Sequence, residues 1–266
     1  MPVAERQDVS IFFEDQGTGP CILFAHSYLC SGAMWAAQAE YLSSSYRTVN
    51  VDLRGHGRSS HAGPGLTIYD LVDDHLAVLD ELGIERAVWA GLSIGGMIAL
   101  RAALTAPERV SALVLADTSA ATEPALPVLR YRAMGMGTRV AGLDLFLNRI
   151  MTLMLGSTTR RGNPELVAEW RRRIGGVHVP SILNLMKPLF GRDSVLERLD
   201  EIRVPSLVLV GEEDRAQPPA RSREIANGLP NAELVVVPEA GHLAAVEQPE
   251  VVSETMRDFL VGALPG

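Results

Sequence analysis

Gly91-Leu92-Ser93-Ile94-Gly95-Gly96 joins two runs of opposite character. Before it lies Arg86 to Gly91 (RAVWAG), a short apolar stretch of strand type; after it Gly95 to Ala106 (GGMIALRAALTA), a small-residue helical stretch stopped by Pro107. A serine on a strand-to-helix turn must adopt a strained backbone, so the flanking positions need residues without side-chain bulk, here Gly91 and Gly95. The Ser93 hydroxyl is thereby lifted to the carboxyl end of a sheet. The helix starts beneath it, where the Ile94 N–H and the helix dipole can hold an oxyanion. A glycine-rich turn that only packs a helix onto a strand shows the same pattern, so the choice between them falls to the surrounding chain.

Outward from this turn, β-branched runs alternate with amphipathic ones, which implies βαβ units and a mostly parallel sheet flanked by helices. The expected strands are Val9 to Glu14, Cys21 to His26, Tyr46 to Asp52, Arg86 to Gly91, Val110 to Asp117, Pro205 to Gly211 and Glu233 to Val237. Helices are expected near Gly32 to Ser43, from a Thr67/Asp70 cap to about Gly83, near Pro219 to Gly228, and from Pro249 to about Val261. Residues 121–197 break the rhythm. They contain no clear β run, hold five of the nine methionines, and have helical stretches interrupted by glycines and prolines. The division expected is one α/β domain over 1–266, with a core of 1–120 and 198–266 and a helical lid inserted at 121–197.

A serine at its ordinary pKa is a poor nucleophile and needs a histidine base, which in turn needs a carboxylate to fix its tautomer. Both follow Ser93 in chain order, each after a later strand: Asp214 in Gly211-Glu212-Glu213-Asp214-Arg215, and His242 in Glu239-Ala240-Gly241-His242-Leu243. Glu212, Glu213 and Glu239 compete for the acid role, and Asp117, at the end of the strand after the serine, is the serious rival; Asp214 stands ahead for its position before the last strand. The second oxyanion donor is expected from His26-Ser27-Tyr28, with the Tyr28 N–H the candidate and Leu29 the neighbouring option. His26 and His56 read as braces for their loops. Ser27, Leu29, Met134 and Trp170 are candidate substrate contacts.

With these features in place the chain resembles the α/β-hydrolase family. Asp52-Leu53-Arg54-Gly55-His56-Gly57-Arg58-Ser59 is similar to the D-x-R-G-H-G-x-S loop of the branch with haloperoxidases, epoxide hydrolases and lactonases. Gly241-His242-Leu243 with Glu247-Gln248-Pro249 resembles its histidine loop. Gly91 to Met97, Ala106 to Val110 and Leu113 to Thr118 are similar to 3-oxoadipate enol-lactonases, as is Ser27 where glycine is usual. The resemblance spans about 8–120 and 200–262 and omits the lid. It implies an α/β-hydrolase fold and serine-dependent cleavage of a small ester or lactone. Ser93 replaces the aspartate of dehalogenases and epoxide hydrolases, which argues against those chemistries. The same triad also serves carbon–carbon bond hydrolysis, perhydrolysis and acyl transfer, and hydrolase-fold receptors keep it while mainly binding a ligand.

Composition narrows the partners. In 266 residues, 24 basic side chains stand against 32 acidic ones, a net charge of −8 with no basic run, so nucleic acid and anionic membrane are not expected. Residues 121–197 alone carry eleven basic and six acidic side chains, a net +5. Arg171, Arg172 and Arg173 there are either a solvated face or a lure for a carboxylate-bearing substrate, and Met134, Met136, Met151, Met154 and Met186 are either helix core or an adaptable pocket lining. Neither a phosphate-binding glycine pattern nor paired histidines occur, so no cofactor and no metal are expected. Two cysteines and no leader-like N-terminus give the expectation of a cytoplasmic protein with reduced thiols. A homodimer is compatible with these features.

Overall fold

The computed structural model describes residues 2–6 and 8–264; positions 1, 7, 265 and 266 of the expected unit lie outside the described residues. Eight strands are β1 (Val3–Arg6), β2 (Val9–Gln16), β3 (Cys21–Ala25), β4 (Arg47–Val51), β5 (Ala87–Leu92), β6 (Val110–Ala116), β7 (Ser206–Gly211) and β8 (Ala232–Val237). They form one sheet in the order β1-β2-β4-β3-β5-β6-β7-β8. β1 pairs antiparallel with β2 and β2 with β4, while all later neighbours are parallel. Seven strands fall where the sequence pattern places them. β1 is the addition: four residues ending in Glu5 and Arg6 carry too little apolar signal to be read, and pairing with β2 supplies the order.

β3, β5 and β7 are buried along their whole length, and β6 at all but Ser111, because helices cover both faces of the sheet. Alternation along each strand divides the core. Leu23, Trp89, Leu113 and Leu115 pack toward α2 (Ile68–Glu81) and α3 (Ile94–Thr105), whereas Phe24, Val88, Ala90 and Val114 pack on the face of α1 (Ala36–Leu42). The Thr67/Asp70 pair forms a reciprocal capping box at the start of α2, as its spacing predicts.

Between β6 and β7, residues 121–197 form α4 (Ala125–Ala141), α5 (Leu147–Met154), α6 (Ser157–Gly162), α7 (Pro164–Gly175) and α8 (Val179–Phe190), with no strand among them. Two of the expected interruptions are not breaks. Gly135 and Gly137 lie inside α4, where a Cβ would come within 2.6 Å of Met186 Sδ and 2.5 Å of the Phe146 ring, so bare backbone is what lets α8 and Phe146 approach. The chain returns through α9 (Pro219–Gly228), α10 (Ala244–Glu247) and α11 (Pro249–Ala263).

Strand order positions the site. From β3 the chain crosses to β4 on one side and then to β5 on the other, so a crevice opens at the carboxyl ends where the direction reverses. The loops after β3, β5, β6, β7 and β8, which carry Tyr28, Ser93, Asp117, Asp214 and His242, therefore stand side by side.

Candidate active site

Ser93 ends the turn between β5 and α3 with φ 57° and ψ −114°, a left-handed backbone that a side-chain-bearing residue holds at a cost of about 1–3 kcal/mol. Its surroundings pin it there. The Ser93 N–H donates to Ala116 O at 2.9 Å, and Thr118 Oγ1 donates to Ser93 O at 2.6 Å. A Cβ at Gly95 would fall 2.1 Å from Ala25 O, and one at Gly91 2.2 Å from the Gly95 backbone. Neither position has room for any other residue. Thr118 is a support that sequence reasoning missed, although it belongs to the Leu113-to-Thr118 stretch.

His242 Nδ1 lies 2.9 Å from Asp214 Oδ2, and both side chains are buried. The other carboxylate oxygen, Asp214 Oδ1, accepts the backbone N–H groups of Ala216 at 2.8 Å and Gln217 at 3.0 Å. Asp117 takes a different post. Its Oδ1 accepts the Gly211 N–H at 2.8 Å while Oδ2 is buried without a partner, and burial followed by the nearby Asp214 charge pushes its carboxyl well above the usual range. The nearby glutamates are engaged elsewhere. Glu213 accepts from Ser157 and Thr158 of α6, whose hydroxyl and amide hold its carboxyl down to about 2; Glu212 accepts the Glu239 N–H at 3.4 Å. Glu247, of the Glu-Gln-Pro stretch, ties the histidine loop to the turn before α6 by accepting the Gly241 N–H at 2.8 Å and the Gly156 N–H at 2.7 Å.

Two histidines brace the loop after β3. Leu53 N–H donates to His26 Nε2 at 2.8 Å and Leu29 N–H to His56 Nε2 at 3.2 Å, so each Nε2 is a bare acceptor and each ring is neutral. Leu29 is thereby removed as an oxyanion donor: its N–H is committed to His56, in a residue at φ 66°. The Tyr28 N–H has no partner among the described residues, and the Ile94 N–H is an unpaired first-turn donor of α3. Tyr28 Oη donates to Ile182 O at 2.7 Å, fastening this loop to α8.

Burial, with the neighbouring ring as a further cause at His56, pushes both His26 and His56 down to about 3. Between about 6.5 and about 3 the unfolded chain binds protons that the folded chain refuses, so stability present above pH 6.5 is lost as pH falls. Each histidine contributes a slope of up to ~1.4 kcal/mol per pH unit. Melting temperature is expected to drop steadily over that window, and His26→Asn, which can still accept from Leu53, should flatten the drop. A flat wild-type profile down to pH 4 would contradict this.

Ser93, His242, Ser27 and Leu29 line one cavity with Met134, Met154 and Met186, roofed by α4, α5 and α8. Ser93 Oγ makes no hydrogen bond among the described residues, so serine and histidine share the cavity without yet being linked. Ser27 Oγ is also buried without a partner. Trp170 corrects the expectation: on α7 it packs with Ile174 against α5 and borders a second cavity, with Cys30 and Arg173, rather than the one over Ser93. Met136 is 62% exposed and Met151 is core, so neither lines the cavity. Arg171 bonds Asn148 and Arg173 pairs with Glu169, also away from it. Glu123 and Gln217 do line it, and nothing in their sequence neighbourhoods marks them.

A family model of the alpha/beta hydrolase fold matches residues 20–249. The chain belongs to that family. This hydrolase is similar to a putative carbamate hydrolase of Azorhizobium caulinodans, 29% identical over 97% of this chain and 98% of the relative. Among solved structures it is similar to an esterase from Thermogutta terrifontis, with TM-score 0.91 and 30% identity over 96% of this chain and 94% of that one. An enol-lactonase from Burkholderia xenovorans has TM-score 0.90 and 26% identity, covering 98% of this chain and all 100% of that one. The eight-stranded, mostly parallel sheet flanked by helices is thus the alpha/beta hydrolase fold, and the protein is an enzyme of the hydrolase kind. No helix among the described residues is long and apolar enough to cross a membrane.

Proposed function

We propose that this hydrolase cleaves a carboxylic ester or lactone of a small molecule through an acyl-enzyme on Ser93. The reading rests above all on the 2.9 Å Asp214–His242 contact standing in the same cavity as a serine held at positive φ. Asp214 keeps the proton on Nδ1 and leaves Nε2 free as the base. Ser93 Oγ gives its proton to Nε2 and attacks the carbonyl carbon. The negative charge moves to the carbonyl oxygen, which the Tyr28 and Ile94 N–H groups receive. His242 passes the proton to the leaving oxygen as that bond breaks. Water, activated by the same imidazole, then releases the acid. A lactone follows the same steps, except that its leaving oxygen stays attached to the acyl group. Residues 121–197 act as the lid, because α4, α5 and α8 roof the cavity. Esterase and enol-lactonase structures of the same fold support this class.

Short-chain p-nitrophenyl esters should give a burst of nitrophenol equal to the enzyme concentration, followed by a slower steady state. Turnover of esters and lactones with no acyl-enzyme detectable by mass spectrometry after acid quench would overturn the covalent route.

A further inference from the structure

The cavity over Ser93 is lined mostly by apolar side chains, and beside Ser93 and His242 it has a corner at Glu123 and Gln217 whose hydrogen bonding is asymmetric. Glu123 Oε1 accepts from Arg192 Nη2 at 3.1 Å and from Gln217 Nε2 at 3.1 Å, whereas Glu123 Oε2 accepts from no group among the described residues. One of the two N–H groups of Gln217 Nε2 is given to Glu123, and the Gln217 side-chain oxygen accepts nothing among the described residues. Both residues line the cavity with Ser93 and His242. Two oxygens, Glu123 Oε2 and the Gln217 side-chain oxygen, are therefore left without a hydrogen bond among the described residues.

Arg192 does not change the sign of that corner. Its side chain is fully buried, its Nη1 donates to Leu189 O, and its Nη2 also donates to Ala121 O at 2.8 Å. It holds the two ends of the lid segment together and neutralises Glu123 from behind, out of reach of a ligand. Among the described residues that line the cavity, Glu123 and His242 are the only ones with an acidic or basic side chain. A substrate carboxylate would find no cation there and would face the Glu123 oxygen. A methyl group would leave a carboxylate oxygen stripped of water without a partner, a costly outcome for a charged acceptor.

We infer that Glu123, with Gln217 beside it, is a specificity residue that selects esters or lactones bearing an O–H or N–H donor away from the scissile bond and rejects carboxylate-bearing ones. The inference rests on the hydrolytic reading above and names its substrate class. Recognition is also tied to the catalytic acid: the Gln217 N–H that fixes Asp214 Oδ1 and the Gln217 side chain that meets Glu123 belong to one residue. A donor seated on Glu123 thus touches the loop that orients His242.

The test compares p-nitrophenyl esters whose acyl chains end in a hydroxyl, a methyl ether or a carboxylate, across chain lengths. One hydrogen bond to a charged acceptor corresponds to roughly 10- to 100-fold. At the chain length that reaches Glu123, kcat/KM for the hydroxyl ester should exceed that for the ether by this factor, with the carboxylate slowest. In Glu123→Gln the amide oxygen stays on Arg192 and Gln217 and the N–H2 turns to the cavity. Hydroxyl and ether should then become equal within about twofold, since both can accept, and the carboxylate should rise. Binding of the same three compounds to Ser93→Ala, read by calorimetry, should show the same order without turnover. An ether bound as well as the hydroxyl at every length, or a preference untouched by Glu123→Gln in a variant that melts normally, overturns the inference. Hydroxyl-selective binding with no hydrolysis of any ester would instead overturn the hydrolytic reading and leave Glu123 as the selector.

Discussion

Ser93→Ala is expected to lower kcat on any ester substrate by about 10⁴-fold or more while leaving the fold intact. The size of the loss follows from covalent chemistry: without Oγ there is no acyl-enzyme, and only the oxyanion donors and binding remain to assist water. The small effect on folding follows from the contacts. Ser93 Oγ makes no hydrogen bond among the described residues, and the bonds that fix the turn run through the Ser93 backbone to Ala116 and Thr118. Alanine retains the Cβ and so meets the same positive φ at the same cost. Its melting temperature should lie within about 2 °C of wild type, a change of half a kcal/mol or less for a chain of this size. Circular dichroism melts beside kcat values, with loss of the nitrophenol burst, check both halves. A variant that keeps most of its activity would remove the nucleophile from the mechanism.

Sequence made the core legible because the central parallel strands β3, β5, β6 and β7 are buried on both faces and read as mainly apolar runs, while the functional loops begin where strands end. Gly91 and Gly95 signal the elbow for a steric reason that the structure expresses in ångströms. What sequence withheld depends on side-chain direction across long separations. Trp170 and Met134 look equally suited to a cavity, yet helical phase sends Trp170 to the α5 contact and Met134 to the cavity. Glu123 and Gln217 are 94 positions apart and meet because the loops that carry them follow β6 and β7, which pair side by side across the 121–197 insertion. The choice between Tyr28 and Leu29 was hidden for a similar reason: it turns on a hydrogen bond from Leu29 to His56, 27 residues away.

Asp214→Asn and Asp117→Asn should separate two carboxyls that chain order leaves in competition. At Asp214, two backbone donors, from Ala216 and Gln217, face Oδ1. An asparagine must keep its oxygen there, so its N–H2 turns to His242 Nδ1 and donates where a carboxylate accepts. Nδ1 is then forced to be the acceptor, the proton moves to Nε2, and the imidazole can no longer take a proton from Ser93. A loss of roughly 10³- to 10⁴-fold in kcat at neutral pH follows. At Asp117 the same substitution removes little. Burial and then the Asp214 charge push that carboxyl's pKa well above the usual range, and asparagine preserves an oxygen for the Gly211 N–H. The expected change there is less than about threefold, within what a neutral repacking of one buried hydrogen bond costs. Because Asp117 is fixed to Gly211 at the start of the acid loop, Asp117→Leu should act through position instead: it strips the acceptor from a buried N–H, lowers the melting temperature, and reduces kcat without shifting its pH profile. A larger kcat loss in Asp117→Asn than in Asp214→Asn would transfer the orienting role to Asp117 and leave Asp214 as a turn residue.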